Sequence, residues 1–439
     1  MEISESINKI EVPEEVENYI KKGIEKGRNK KILQKKKRML SYAAASILII
    51  FFVLSIRLSP SVAAYVSQIR VLKQLVNLIR YDKGLDLAVR NDFIQPLNIS
   101  KEYDGVKVTI GGIIVDESRI IIFYSIKNES GKSLELKNIE VYNEKNQPLE
   151  EISLSWSGFD NNSVEKESFI DIAFSGDNNS IPEVLNLSMQ FKGLKSNTFN
   201  FSIHIDKDKF KGLKEVYTVN RTIEIDGQKI TFEKAIVYPT RIALYIHYNP
   251  LNSKKILGYP DIGIVDEKGD IFGQISNGVS GTRKDDNNTV LYFQSNYFKK
   301  PKELYVAFSK VKAIDKDKAE VIIDLKNKMI LKKPDEKLKL NDIVYNKNDI
   351  QLTFTLEKID NTNNFYSPFY SEFEDSSMKK YHFLGEEIHG GREGKVEEVL
   401  IRIPNVSYDN SIKLKIIDYP NFIGGKEVKV RVKQREVIK

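Results

Sequence analysis

The sequence predicts a mainly β protein. Tandem antiparallel, immunoglobulin-like β-sandwich modules follow one transmembrane helix, with a short helical head before it and a helical juxtamembrane segment after it. Three observations carry this. Beyond about Asn98, apolar residues alternate with a period of two. One uncharged run interrupts an otherwise hydrophilic chain, and one segment recurs at an offset of 122 residues. A chain of 439 residues has room for about three domains.

The head spans 1–38. Of the net charge of +7, residues 1–40 supply +4, with 11 Lys/Arg against 7 Glu. Ten of those cations crowd into 21–38 beside one acid, Glu25. Such a run binds nucleic acid, coats an anionic membrane, or marks the cytoplasmic flank of a span. Val12-Pro13-Glu14-Glu15-Val16 starts a helix, with Pro at its first position and acids facing the positive end of the dipole. Val16, Tyr19, Ile20 and Ile24 then form an apolar stripe that so short a helix cannot bury against itself. Three readings compete. A cytoplasmic protein supplies a groove and orders the helix, which weighs most. The helix lies on the inner leaflet, or it binds DNA, which weighs least because no DNA-binding fold accompanies it.

The span is 39–58. Met39 to Ile56 are 18 residues without a charge, reaching roughly 27 Å as a helix against a hydrocarbon thickness of about 30 Å. The cations before it place the head in the cytoplasm and the rest of the chain outside. A cleaved signal peptide is the competing reading, since Ser61-Val62-Ala63 has small-x-small form. Its basic region would run to residue 38, longer than the whole of an ordinary signal.

Over 59–92 the spacing of Val62, Val66, Ile69, Leu72, Leu75, Val76 and Ile79 predicts a helix, packed on the first β module in preference to the bilayer surface. Strands follow. Val106/Val108/Ile110, Leu185/Leu187/Met189/Phe191, Ile350/Leu352/Phe354/Leu356 and Val428/Val430/Val432 all alternate, with turn formers between the runs. Sliding the chain by 122 sets DGVKVTIGGIIVDESRI (104–120) over DGQKITFEKAIVYPTRI (226–242), where Asp, Gly, Lys, Thr, Val, Arg and Ile coincide. A fainter third copy is NDIQLTFTLEKI (348–359). Each copy reads as strand, hairpin, strand. Three modules result, at 93–210, 214–332 and 335–437, joined near Asp206–Gly212 and Lys332–Glu336.

Chemistry is hard to place. Without Cys there are no disulfides, thiol nucleophiles or thiolate metal sites, and His occurs only at 204, 247, 382 and 389. The nucleophile-elbow, phosphate-loop, dinucleotide and HExxH motifs are all missing, so no enzymatic activity and no cofactor are expected. Gly390-Gly391-Arg392-Glu393-Gly394-Lys395 reads as a hairpin loop, and His382 and His389 beside Glu386 and Glu387 as a solvated loop in preference to a weak metal site. Asp315-Lys316-Asp317-Lys318 lacks the glycine and the glutamate of a calcium loop. Around Asn364–Tyr370 a strand pair burying Phe365 and Phe369 outweighs a ligand platform, and Trp156 is assigned to the core.

The segments VPEEVENYIKKGIEKGRNKK, SPSVAAYVSQIRVLKQLVNLIRYDKGLDLAVRNDFIQPLN and DGVKVTIGGIIVDESRIIIFYSI, with one span among them, resemble domain-of-unknown-function family 4179, single-pass anti-sigma-factor-like membrane proteins of Gram-positive bacteria. The resemblance is specific over roughly 10–130 and looser over 214–437. It implies a cell-membrane regulator whose head binds an extracytoplasmic-function sigma factor and whose exterior modules either receive a signal or hold a cell-wall or protein ligand. Direct nucleic-acid contact is not implied. The contact positions it implies are Val12, Val16, Tyr19, Ile20 and Ile24. Zinc-type anti-sigma factors use a His…Cys-x-x-Cys helix, and this chain has neither residue before 204, so sigma-factor binding takes a zinc-free mode. The alternative is a surface-anchored binding or structural module whose head only sets topology.

Overall fold

The structure is a computed structural model that describes residues 21–23, 25–27, 79, 82–156, 164–175, 181–194, 198–276, 278–358, 365–389 and 395–434. The chain divides into two units, Met1–Lys73 and Gln74–Lys439. In the first, residues 21–23 and 25–27 are helical and exposed. The head positions Val12, Val16, Tyr19, Ile20 and Ile24, the span at 39–58 and the juxtamembrane stripe up to Val76 lie outside the described residues. Among the described residues no helix is long and apolar enough to cross a membrane.

The second unit is mainly β, and its strand pairs are antiparallel. It opens with helix α1 (Lys83–Arg90), capped by Asp82, whose Oδ1 accepts from the amides of Gly84 and Leu85 at 3.0 Å each. Asp86 in the first turn and Arg90 in the last suit the dipole and pair at 2.8 Å. The apolar stripe expected to pack on the first module lies, up to Val76, outside the described residues, and α1 itself touches the second module as well as the first. Lys83 donates its amide to Gln294 Oε1 at 3.3 Å and its Nζ to the carbonyl of Ile271 at 2.7 Å, both in the second module. Gly84 makes the approach close: a Cβ there would stand 2.4 Å from the amide nitrogen of Ser295.

The first module holds β1 (Gln95–Tyr103), β2 (Val106–Asp116), β3 (Arg119–Asn128), β4 (Glu135–Tyr142), β5 (Ile152–Trp156), β6 (Glu165–Phe174), β7 (Val184–Lys192) and β8 (Thr198–His204). One sheet runs β1-β2-β3-β6-β5 and the other β4-β7-β8. Their inward residues, among them Val106, Val108 and Ile110 from one and Leu185, Leu187 and Met189 from the other, form one core. Trp156 sits half-buried at the margin of that core, because β5 is the sheet's edge.

The second module begins with β9 (Glu215–Ile225), β10 (Gln228–Val237) and β11 (Arg241–Tyr248), followed by β12 (Lys254–Gly258), β13 (Gly263–Asp266), β14 (Ile271–Gly273), β15 (Gly281–Arg283), β16 (Asn288–Gln294) and β17 (Leu304–Asp315). The repeat is written in its geometry. Asp104-Gly105 and Asp226-Gly227 both turn with positive φ, 52° and 76° against 46° and 76°, as a two-residue hairpin of the Asp-Gly kind requires. The β2–β3 register slips between Ile110 and Gly112, and the β10–β11 register slips between Phe232 and Lys234, the positions 122 residues on. Ser100 and Thr109 hydroxyls meet at 2.9 Å, and their counterparts Thr222 and Thr231 at 2.8 Å.

The third module contains β18 (Glu320–Asp324), β19 (Met329–Lys332), β20 (Leu338–Tyr345), β21 (Asp349–Glu357), β22 (Phe369–Asp375), β23 (Lys380–His382), β24 (Gly385–His389), β25 (Val396–Pro404) and β26 (Ser411–Ile416). Its sheets are β19-β18-β26-β22-β23 and β20-β21-β25-β24, around a core that includes Leu352, Phe354, Ile401 and Leu414. The last strand, β27 (Phe422–Gln434), leaves this module and pairs with β17 and β9. The strand order thus cuts across the linear division at 332/335. β18 and β19 belong with the third core, and Val430 and Val432 fill the second. An alternating pattern fixes which face of a strand is buried and leaves its partner open. The third module is in effect inserted between two neighbouring strands, β17 and β27, and has two covalent connections to the second.

Candidate functional site

The two repeated hairpins end at Asp116–Arg119 and at Tyr238–Arg241, and these ends meet. Asp116 is the link: its Oδ1 accepts from the amide and hydroxyl of Ser118 at 2.8 and 2.7 Å, and its Oδ2 from the amide and hydroxyl of Thr240 at 2.8 and 2.6 Å. Arg241 reaches back into the first module. Its Nε donates to Ser118 Oγ at 3.1 Å, its Nη2 to the carbonyls of Ser118 and Phe174 at 2.7 and 2.9 Å, and its guanidinium lies 3.6 Å from the centre of the Tyr292 ring. Arg119, its counterpart in the repeat, forks onto Asp171 through Nε–Oδ1 at 2.7 Å and Nη2–Oδ2 at 3.0 Å. Its third nitrogen, Nη1, stands 3.5 Å from Asp82 Oδ2, so the cap of α1 is part of the cluster. Asp171 also accepts the amide of Val279 from the second module at 3.0 Å.

Asp82, Asp116, Arg119, Asp171 and Arg241 are each at most 1% exposed. Three carboxyls and two guanidiniums out of contact with water make the environment decide their protonation. Burial pushes the Asp82 carboxyl up, against the pull of Arg119. Burial also works against the charge on Arg119, yet Asp171 and Asp82 outweigh it and hold that guanidinium above its ordinary value. Arg241 has only Tyr292 and more distant acids in its favour, and burial leaves it lowered. A cluster so enclosed offers a substrate no entry. What it does is hold the first module, the second module and α1 in one arrangement, because opening the junction breaks together the ion pairs and hydrogen bonds that compensate these buried groups.

The other sequence candidates do not gather into a chemical site. His382 and His389 lie on β23 and β24, in different sheets, and His389 Nε2 is 3.5 Å from Glu387. Among the described residues no group of three potential metal ligands occurs. Residues 390–394 lie outside the described residues. Asp315 is engaged by Lys254 and Lys318. Phe369 is buried as expected, whereas Phe365 is 45% exposed and Tyr366 takes the interior place. That arrangement follows from Glu397, buried against Lys358, whose Oε2 accepts the amide of Tyr366 at 2.9 Å. The Arg119–Arg241 cluster was not among the sequence candidates. Its signal lay in the repeat, which superposes two arginines that each open an apolar strand, RIIIFYSI and RIALYIHY.

Fold and cluster together define a class: antiparallel β modules in series, the first two locked by an internal charge network. Residues 33–128 match the family model described as Domain of unknown function (DUF4179). Residues 214–332 match a second model, Family of unknown function (DUF5643). No curated protein matches the chain. A solved structure, "The crystal structure of the conserved domain protein from Bacillus anthracis", is 20% identical, with 54% of this chain and 84% of that chain covered at a TM-score of 0.37.

Proposed function

We propose that the chain is a membrane-anchored regulator. Its cytoplasmic head binds an extracytoplasmic-function sigma factor through Val12, Val16, Tyr19, Ile20 and Ile24, a single span follows, and immunoglobulin-like β modules outside the cell receive the signal. The observation that supports this reading is the double role of Asp82. One oxygen caps α1, the element by which the chain enters the β body, and the other faces Arg119 in the charge network between the modules. A force or ligand that shifts the modules therefore acts on the chain at the end of the juxtamembrane segment. The DUF4179 match, which runs from the basic cluster through the apolar run to β3, is consistent with one working unit over that length. Neither a cofactor nor a catalytic residue belongs to this reading.

Purification of the full chain from membranes should co-isolate a sigma factor, and Tyr19→Asp with Ile20→Asp should lose it; recovery of no sigma factor by the unaltered chain defeats the proposal. A second reading, a surface-anchored binding or structural module, draws on the same network, since rigid modules suit a spacer. Deletion of residues 1–30 separates the two: the regulator gives a derepressed set of transcripts, the spacer no transcriptional change.

A further inference from the structure

A cleft of about 420 Å³ opens where the inserted third module leaves the second. Lys254 and Lys255 of β12, Asp286 from the turn before β16 and Lys316 line it together with Glu320 and Lys415 of the third module. Four ammonium groups and two carboxylates line it, and two carboxylates outside the lining, Asp315 and Glu374, approach Lys254 and, at 3.9 Å, Lys415. Glu320 is committed to Lys332 at 2.6 Å, and Lys254 to Asp315. Lys316 donates to the carbonyl of Pro250 at 2.6 Å, which fixes it at the rim. Lys255, with 14% of its side chain exposed, has Asp286 at 3.6 Å, and Asp286 itself stands 84% in solvent. Beside them Arg283 donates Nη2 to the carbonyl of Ile256 at 2.6 Å, while its buried Nη1 has no hydrogen-bond partner. We propose that this cleft binds a phosphate-bearing ligand, with Lys255 and Lys415 as the principal contacts and Lys254 and Lys316 at its rim.

The argument is electrostatic. Burial pushes Lys255 below the ordinary lysine value, and the like charges of Arg283 and Lys415 add to that against the pull of Asp286. A partly desolvated ammonium crowded by cations gains most from an incoming anion, because the charge is already assembled and Lys255 itself is largely withdrawn from water. Ammonium groups are compact point charges that serve phosphate oxygens, whereas the one guanidinium nearby is tied to a backbone carbonyl. The volume is that of a small-ligand site, enough for a sugar phosphate or a few units of a phosphodiester. The site stands whether or not the head binds a sigma factor.

Lysine acetylation of the full chain, mapped by mass spectrometry, tests it without interference from the basic head. With tripolyphosphate as probe, modification of Lys255 and Lys415 should fall about fivefold at roughly four times the Kd, while Lys192, 77% exposed on the first module, stays unchanged. Lys415→Gln should abolish protection at Lys255, and Asp286→Asn should bring it in at lower probe concentration. Vesicles of phosphatidylglycerol form the second arm: protection by tripolyphosphate assigns the site to free or polymeric phosphate, and protection by vesicles alone assigns it to lipid headgroups. Protection by neither, or an equal change at Lys192, overturns the proposal.

Discussion

Arg119 and Arg241 occupy the same place in two copies of one hairpin, both are fully enclosed, and they are satisfied in opposite ways. Arg119 has carboxylates, Asp171 by a two-point fork and Asp82 beyond. Arg241 has carbonyls, a hydroxyl and an aromatic face. One copy of the motif therefore closes an ion pair within its own sheet, β3 to β6, and the other spends its donors across the junction on the first module. A duplicated arginine has become a buttress in one module and a clasp in the other.

Removing the buttress should have the largest effect. Arg119→Ala leaves Asp171 and Asp82 buried without their cation and should lower the unfolding free energy by about 3–5 kcal/mol, read by urea denaturation. A loss below 1 kcal/mol would mean that water enters the junction freely. Arg241→Lys comes next. An ammonium cannot span the carbonyls of Ser118 and Phe174 while stacking on Tyr292, so about 1–3 kcal/mol should go. The comparison also predicts a difference of kind. Hydrogen exchange in Arg241→Lys should rise on both sides of the junction, at Ser118 and Thr240, whereas Arg119→Ala should also loosen β3, β6 and the start of α1.

Gly84→Ala tests the third party to the cluster. A methyl group 2.4 Å from the amide nitrogen of Ser295 cannot be accommodated without backing α1 away from the second module. About 1–3 kcal/mol should be lost, with exchange raised at Leu85 and Asp86. An unchanged melting temperature would show that α1 does not hold to the body by this contact.

The contrast also explains what could be read from the sequence. Strands and their buried faces were legible because alternation reports burial directly: Val106, Val108 and Ile110, or Leu352, Phe354 and Leu356, are all fully enclosed. The Asp-Gly turns were legible for their positive φ. Partnership was not. β27 alternates as well as any strand, yet nothing local says that it skips the module before it to pair with β17 and β9. Nor does local pattern reveal that Asp82, Asp116 and Asp171, scattered over 89 residues, converge on two arginines. Their spacing is set by tertiary packing, and only the superposed arginines of the repeat hinted at it.

The smallest expected effect is the most diagnostic of how the buttress is balanced. Burial raises the Asp82 carboxyl above its unfolded value of 3.8, so the folded chain holds that proton more tightly than the unfolded one. For an acid shifted this way, the contribution is most favourable below the unfolded value and is lost as the pH rises through the folded one. Asp82→Asn removes the titration but keeps the cap, since its amide oxygen can still accept from Gly84 and Leu85. Arg119 keeps its fork on Asp171. Subtracting the two pH profiles of the urea midpoint isolates this one group from the many carboxylates that shift the other way. The variant should fall behind or match the unaltered chain in acid and gain on it as the pH rises, ending within about 1 kcal/mol of it near neutrality. A pH-independent difference would show that Asp82 titrates as it does in the unfolded chain. A loss above about 2 kcal/mol at neutral pH would show instead that Arg119 needs its second carboxylate, and that the buttress is a three-membered unit where the clasp is not.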